Sequence, residues 1–357
     1  MNFNLINWPI TIVILLLLSM GILVIWSSSS QLAFQQTIFA IIGLAAYFSI
    51  SQFDYRAIKN LIRPLYFFLT LLLAVVLIIG LEIRGSTRWI SIGFINIQPS
   101  ELIKPVLILF LADFWFKSKP TWANILKSLL WVLPVLFLVF EQPDFGTSMT
   151  LGVIALGMMF ASGISIKKIA TLLLVFFLVV PLVWLNLHDY QRDRITSFMS
   201  PETDPLGVGY NLIQSTIAVG SGQFMGRGLG QGTQSRLQFL PESRTDFIFA
   251  SIAEELGFLG SVLILSSYLI LISYCLKISV QMSDFFGFLI IVGIVSILIF
   301  QIVVNIGMNI GILPITGITL PLISYGGSSL IATLIMLGFV TSIARNRWSV
   351  DITSVEV

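Results

Sequence analysis

Phe285-Phe-Gly-Phe-Leu-Ile-Ile-Val-Gly-Ile-Val-Ser-Ile-Leu-Ile-Phe-Gln-Ile-Val-Val304 runs for twenty residues without a charged side chain. At a rise of about 1.5 Å per residue, a helix of that length crosses the roughly 30 Å hydrocarbon core of a bilayer. This stretch extends over about 284–306, and outward from it similar stretches lie near 8–28, 33–53, 64–83, 101–117, 125–141, 144–163, 168–187, 257–277 and 326–344. Together they predict an all-α integral membrane protein, a polytopic bundle of about ten transmembrane helices. A long extracytoplasmic loop, about 188–245, is expected between helices 7 and 8. No repeat or linker divides the chain, so 1–357 reads as one transmembrane domain.

Composition agrees with a lipid environment. Hydrophobic residues make up 57% of the chain and charged residues 10%, against about 25% charge in soluble domains. A net charge of +2 is too small to imply a nucleic-acid partner. Cys275 has no second cysteine to bridge and lies in an apolar run, so it reads as a packing residue. The single histidine, His188, excludes an all-histidine metal site. The run from Trp8 lacks a basic leader and a small-residue cleavage site, and is expected to remain as the first helix. Pro134 is expected to kink the fifth helix.

Short loops orient such a bundle by their excess of lysine and arginine on the cytoplasmic side. With both termini cytoplasmic, the inner loops and tail hold Arg56, Lys59, Lys117, Lys119, Lys167, Lys168, Lys277 and Arg345. Arg63, Lys127 and Arg347 join them there, whereas Arg84, Arg88, Lys104, Arg192, Arg194, Arg227, Arg236 and Arg244 fall on the outer side, mostly within the long loop. The polar clusters then face outward.

The first cluster is Arg84-Gly-Ser-Thr-Arg88-Trp89 with Gln98-Pro-Ser100-Glu101-Leu-Ile-Lys104. Ser100 suits a helix N-cap, and Glu101 and Lys104, three apart, share a helix face. Apolar sequence follows Lys104, so its charge is expected to reach into the bundle. The second cluster, Glu141-Gln-Pro-Asp144-Phe-Gly146, suits a hairpin turn with Asp144 capping the next helix. In the long loop, glycines at 220, 222, 226, 228, 230 and 232 would let backbone N–H groups approach an anion, or would simply keep the loop flexible. Their spacing is no nucleotide fingerprint, and no organic cofactor is expected.

The fourth cluster is Pro241-Glu242-Ser-Arg244-Thr-Asp246-Phe-Ile-Phe-Ala250, with Glu254-Glu255 following. Asp246 could merely cap the helix beginning at Phe247. Against that, ionisable groups at a lipid boundary usually mark a pathway or a reaction site. The two glutamates lack local basic partners and call for distant ones, such as Lys104 or the loop arginines. A fifth stretch, 305–329, is rich in Gly, Pro and Ser and reads as irregular backbone that lines a cavity or forms a re-entrant turn.

Taken together the motifs resemble the SEDS family (shape, elongation, division and sporulation). The matching stretches are RGSTRWISIG at 84–93, QPSELIK at 98–104, QPDFGTS at 142–148, DYQRDRITSF at 189–198, DPLGVGYNLIQSTIAVGSG at 204–222, FLPESRTDFIFASIAEELGF at 239–258 and NIGMNIGILPITGITLPLISYGGSS at 305–329. NIGMN and the DYQR start favour the rod-shape branch over the division branch.

The resemblance implies a peptidoglycan glycosyltransferase that polymerises lipid II at the outer face of the bacterial cytoplasmic (inner) membrane during cell elongation. It also implies a class B penicillin-binding protein as crosslinking partner, alongside other elongation-complex membrane proteins. Asp246 matches the family's essential acid, and Trp89, Glu101 and Lys104 match positions around its central cavity. The residue two before the acid, commonly His in relatives, is Arg244 here. Asp246 is the expected general base, a role worth roughly 10²–10⁴ in rate. Glu242, Asp144 and Arg244 join the expected substrate-binding set. Arg88, Lys104, Arg192, Arg194 or Arg227 could carry the pyrophosphate charge, or Mg²⁺ or Mn²⁺ held by carboxylates could share it, and the sequence leaves that choice open. A transporter flipping a lipid-linked precursor is the alternative from another class; it would need polar groups along its whole path, whereas here the acids gather at one face.

Overall fold

The computed structural model describes residues 7–83, 86–92, 95–186, 192, 196, 198, 208–237 and 239–346. Among them, ten long helices follow the ten apolar stretches: α1 (Trp8–Ser28), α2 (Ser30–Gln52), α3 (Lys59–Ile79), α4 (Pro99–Lys117), α5 (Trp122–Glu141), α6 (Phe145–Ala161) and α7 (Ile166–Asn186), then α10 (Ile248–Val280), α11 (Phe285–Asn309) and α12 (Gly327–Asn346). Two shorter helices, α8 (Val208–Ser221) and α9 (Thr233–Arg236), lie between α7 and α10. Among the described residues, seven helices are long and apolar enough to cross a membrane, and the chain is a multi-pass membrane protein.

Side-chain caps set several starts: Ser29 accepts from Leu32 N–H, Thr121 from Asn124 N–H, and Asp284 from Phe286 and Gly287 N–H. The helix α4 is the central shaft. It packs on α3, α5, α6, α11 and α12, and Pro99 to Glu101, Ile103 to Asp113 and Trp115 are buried. Protein rather than lipid therefore surrounds Glu101, Lys104 and Asp113. On the outer helices, large apolar residues such as Phe67, Phe68 and Leu130 stay exposed, as an apolar solvent allows.

Three expectations need revision. A three-stranded antiparallel sheet follows α3: β1 (Leu81–Ile83), β2 (Ser86–Ile92) and β3 (Ile95–Ile97), in the order β1-β2-β3. Ile90 faces Ile97 and Ser91 faces Asn96 in register. The apolar–polar alternation of Ile90-Ser91-Ile92 and Ile95-Asn96-Ile97 has the period of a strand, which a search for long apolar runs passes over. Second, the expected loop at 188–245 contains α8, whose buried Gly209, Leu212, Ser215, Ala218 recur every third residue. A helical stripe of small residues reads as loop when glycine is taken as punctuation. Third, α10 begins nine residues before the expected 257, and Gly257 (φ 67°, ψ −160°) interrupts it. The helix α5 runs continuously through Pro134, and Cys275 is a buried thiol in α10. Arg194, Arg84 and His188 lie outside the described residues.

Candidate active site

Arg88 on β2 binds the turn that joins α5 to α6. Its Nε donates to the Gln142 carbonyl at 2.9 Å, a second nitrogen donates to the Pro143 carbonyl, and a third lies 3.8 Å from Asp144 Oδ1. Asp144 caps α6 as expected, accepting from Thr147 N–H at 3.2 Å. Its other oxygen accepts from Gln98 Nε2 at 3.1 Å. The first two polar clusters are therefore one assembly, with the Arg88 guanidinium engaged in holding it. Trp89 lies half-buried beside Arg88, opposite Leu81 in the sheet register.

Gln98, not Ser100, occupies the N-cap position of α4, because Pro99 takes the first helical position, where its fixed φ and missing N–H are no loss. The Ser100 hydroxyl instead joins Gln98 and Asp144. One turn deeper, Lys104 Nζ donates to Glu101 Oε1 at 2.5 Å, with both residues buried. Lys104 is thus committed to a partner on its own helix.

Asp246 lies half-exposed just before α10. The N-cap position of that helix is Phe247, with no side-chain cap, so Asp246 is not explained as its N-cap residue. The Asp246 carbonyl accepts from Asn305 Nδ2 at 2.9 Å and from Asn309 Nδ2 at 3.0 Å. Asn309 Oδ1 accepts from Ala250 N–H at 3.0 Å. Upstream, Glu242 holds a left-handed backbone (φ 54°), and its carbonyl accepts from both Thr245 and Phe247 N–H. Such a conformation in a residue other than glycine carries strain and recurs at functional sites. Glu242 Oε2 accepts from the Thr245 hydroxyl at 2.9 Å.

Arg244 reaches to the end of α1, where its Nε donates to Ser28 Oγ at 2.8 Å and another nitrogen donates to the Ser28 carbonyl at 3.1 Å. The irregular segment before α12 and the first turn of that helix connect the two halves. Tyr325 N–H donates to the Arg244 carbonyl, the Ser324 hydroxyl donates to the Thr245 carbonyl, and Ser328 Oγ accepts from Gln98 N–H. Burial pushes the Tyr325 hydroxyl up from the ordinary tyrosine value, and it donates to Gln35 Oε1 at 2.6 Å.

The glycine loop does different work from an anion cradle. Arg227 and Gly228 N–H donate to the Glu254 and Glu255 carbonyls, while Phe258 and Leu259 N–H donate to the Gln223 and Phe224 carbonyls. These bonds satisfy the backbone that the break at Gly257 leaves open, so those N–H groups are already used. A Cβ added at Gly226 (φ 81°) would come within 2.2 Å of the Glu255 carbonyl oxygen. Glu254 and Glu255 also find partners other than the distant basic residues expected for them: Glu254 accepts from Thr233, Gln234 and Ser235, and Glu255 from the Ser27 hydroxyl. Arg192 is half-buried, and its carbonyl accepts from the Thr196 hydroxyl.

Asn305 and Asn309 were not singled out as positioning residues by sequence reasoning. Their signal was present as an i, i+4 pair of amides on an otherwise apolar helix end, which puts both on one face. No three acidic, histidine or cysteine side chains converge on a point among the described residues. A catalytic divalent ion would therefore need substrate oxygens as well as one or two carboxylates.

The chain matches the FtsW/RodA/SpoVE family model, described as "Cell cycle protein", over residues 7–349. It is 40% identical to the peptidoglycan glycosyltransferase MrdB of Escherichia coli strain K12 over 342 residues, 94% of this chain and 92% of that protein. A chain solved in a peptidoglycan synthase complex, described as coordinating polymerization and crosslinking, superposes with a TM-score of 0.85 at 32% identity, covering 96% of this chain and 98% of that one. The rod shape determining protein RodA of Thermus thermophilus superposes with a TM-score of 0.73 at 29% identity, covering 98% and 99%.

Proposed function

Because this chain belongs to the FtsW/RodA/SpoVE family, we propose that it is a peptidoglycan glycosyltransferase of cell elongation that polymerises lipid II. The acceptor is the C4 hydroxyl of GlcNAc, and the electrophile is the anomeric carbon of MurNAc. Asp246 takes the hydroxyl proton as the new C–O bond forms. The bond from the anomeric carbon to phosphate breaks, and undecaprenyl pyrophosphate leaves with the electron pair. The observation that carries this role is the placement of Asp246: half-exposed, preceding the N-cap of α10, and with its carbonyl held by two amides of α11. A base held on a fixed backbone loses little by reorganising during the reaction.

Orientation rests on the basic residues at the opposite end of the bundle. Arg56 pairs with Asp284 at the start of α11, Lys117 pairs with Asp113 near the end of α4, and Arg345 donates to the Gln52 carbonyl at the end of α2. The positive-inside bias favours that end as cytoplasmic, with both termini inside and Asp246 facing outward. The polyprenyl tail would then stay in hydrocarbon while the sugars meet water.

Arg88 and Arg244 serve first as tethers, so Arg192 and Arg194 are the better candidates for contacting pyrophosphate. Mg²⁺ or Mn²⁺ bridging a carboxylate and the pyrophosphate would add charge stabilisation there. A class B penicillin-binding protein is the proposed crosslinking partner, supported by the match to a chain from a synthase complex that couples both reactions.

Reconstitution of the chain in liposomes with lipid II, alone and with that partner, tests the assignment. Glycan polymer is the expected product. Labelled lipid II equilibrating between leaflets without polymer would replace the enzyme with a transporter.

A further inference from the structure

The helices α3 and α5 lie against each other and run the same way. The Tyr66 hydroxyl donates to the Trp131 carbonyl, and further along both helices Gln142 Nε2 donates to the Leu73 carbonyl at 2.9 Å. Both start at the end of the bundle where Arg56 meets Asp284 and Lys117 meets Asp113. One turn back toward that end from the Tyr66–Trp131 contact stand Arg63 and Lys127. Arg63 precedes Phe67 by four residues and Lys127 precedes Trp131 by four, so each shares a helix face with its aromatic residue. At about 1.5 Å of rise per residue, both cations lie roughly 6 Å from the level of those rings. Phe67 and Trp131 meet edge to face with centroids 6.0 Å apart, which sets Arg63 beside Lys127 as well.

Both side chains are exposed, and among the described residues neither forms an ion pair or a hydrogen bond. Basic residues close by in the chain are engaged. Lys59 lies over the Phe116 and Phe286 rings, Lys117 pairs with Asp113, and Lys168 donates to the Pro120 carbonyl. The acids at this end are taken as well, Asp284 by Arg56 and the Tyr55 hydroxyl, and Asp54 by Arg56 N–H. Two neighbouring cations therefore lack a counter-charge from the protein. The surface they border is apolar: Phe67, Leu126 and Leu130 are each more than half exposed, and Trp131 is 37% exposed. A guanidinium binds phosphate through paired N–H donors, and an ammonium adds a point charge. A soluble anion would answer the charges and leave the apolar face bare. A phospholipid with a net negative charge answers both, and basic pockets between membrane helices select such head groups.

We propose that Arg63 and Lys127, with Phe67 and Trp131 one turn further into the membrane, form a binding site for an anionic phospholipid. The phosphodiester sits between the guanidinium and the ammonium, and the acyl chains run along Phe67, Leu130 and Trp131. The lipid ties together the starts of α3 and α5. The far end of α3 leads into the strand pair that carries Arg88, and the far end of α5 leads into the turn that Arg88 holds. The site requires only that the chain spans a membrane, so it stands or falls apart from the polymerase reading.

The test is native mass spectrometry of the full chain in detergent, titrated with phosphatidylglycerol or with phosphatidylcholine, with melting temperatures taken on the same preparations. One phosphatidylglycerol should be retained per chain, ahead of phosphatidylcholine, and should raise the melting temperature. Arg63→Gln combined with Lys127→Gln weakens retention roughly tenfold or more and removes that rise. The lipid-free melting temperature stays at the wild-type value, because neither side chain has a protein partner. Each single substitution weakens retention to a smaller degree and reads the site should the pair misfold. Arg63→Lys keeps the charge and retains most of the binding. Lys119→Gln combined with Lys167→Gln removes two exposed charges and leaves retention unchanged. Equal retention of the two lipids, wild-type retention without Arg63 and Lys127, or equal loss in the control pair overturns the site. A dimer that the Arg63 and Lys127 substitutions dissolve, with no lipid preference, gives the face to a second copy of the chain and also overturns it.

Discussion

Asn309 grips the segment that carries Asp246 at two points: its Nδ2 donates to the Asp246 carbonyl, and its Oδ1 accepts from Ala250 N–H, each at 3.0 Å. Both contacts come from the last turn of α11, and Asn305 adds a third from one turn earlier. The amide therefore fixes where the Asp246 carboxylate starts from, without touching it through any of these bonds.

Asn309→Leu leaves Ala250 N–H and the Asp246 carbonyl short of a partner in a buried place, at a cost of about 1–3 kcal/mol. We expect a lower melting temperature in detergent and a polymerisation rate at least tenfold down. Asn309→Asp keeps the acceptor and loses the donor, so it should fall between the two. Wild-type rates in Asn309→Leu would show that this grip does not position the acid.

Arg88 serves three acceptors on one turn, a task its planar fork suits and a lysine ammonium does not. Arg88→Lys should therefore behave almost as badly as Arg88→Gln. Thermal unfolding of both variants should show a loss of about 1–2 kcal/mol. Near-complete rescue by lysine would mean that positive charge alone matters at this position.

Much of this was legible in the chain. Runs such as Phe285 to Val304 fix the helices because an apolar stretch of that length has few other fates. The cap of α6 was readable in Asp144, since a short acid before a helix accepts its first N–H groups. The grip of Asn309 on Asp246 was not, because it joins residues 63 positions apart and nothing local records it. Arg244 likewise reads as a charge beside an acid, whereas its fork is spread over Ser28, far earlier in the chain. The glycines at 222, 226 and 228 suggest anion binding by composition, yet the backbone of that loop, through Gln223, Phe224, Arg227 and Gly228, closes the break at Gly257.

That closure makes Gly226 and Gly257 intolerant of any side chain. Both have φ in the left-handed region, and a Cβ on either would come within 2.2 Å of main-chain atoms. Gly226→Ala and Gly257→Ala should each accumulate poorly and melt early. Gly152→Ala on α6, where a Cβ meets nothing within 4 Å, is the matched control and should be neutral or slightly stabilising. Equal behaviour of all three would remove the loop as a brace for α10.

Arg244 makes the contacts of an anchor, with its guanidinium on the Ser28 hydroxyl and carbonyl. Arg244→His can still donate one hydrogen bond to Ser28 and should keep most of the polymerase rate. Arg244→Met, which donates none, should lose several-fold in rate and melt earlier by an amount matching about 1–2 kcal/mol. If Arg244→Met polymerises normally, the anchor is dispensable.

The most direct measurement is lipid II polymerisation by Asp246→Asn in liposomes beside wild type, with melting temperatures taken on the same preparations. Removal of a general base should lower the rate by about 10²–10⁴, while the melting temperature stays near that of wild type, because the Asp246 contacts to α11 run through its backbone carbonyl. Glycan made at the wild-type rate by well-folded Asp246→Asn would contradict the assignment of Asp246 as the base.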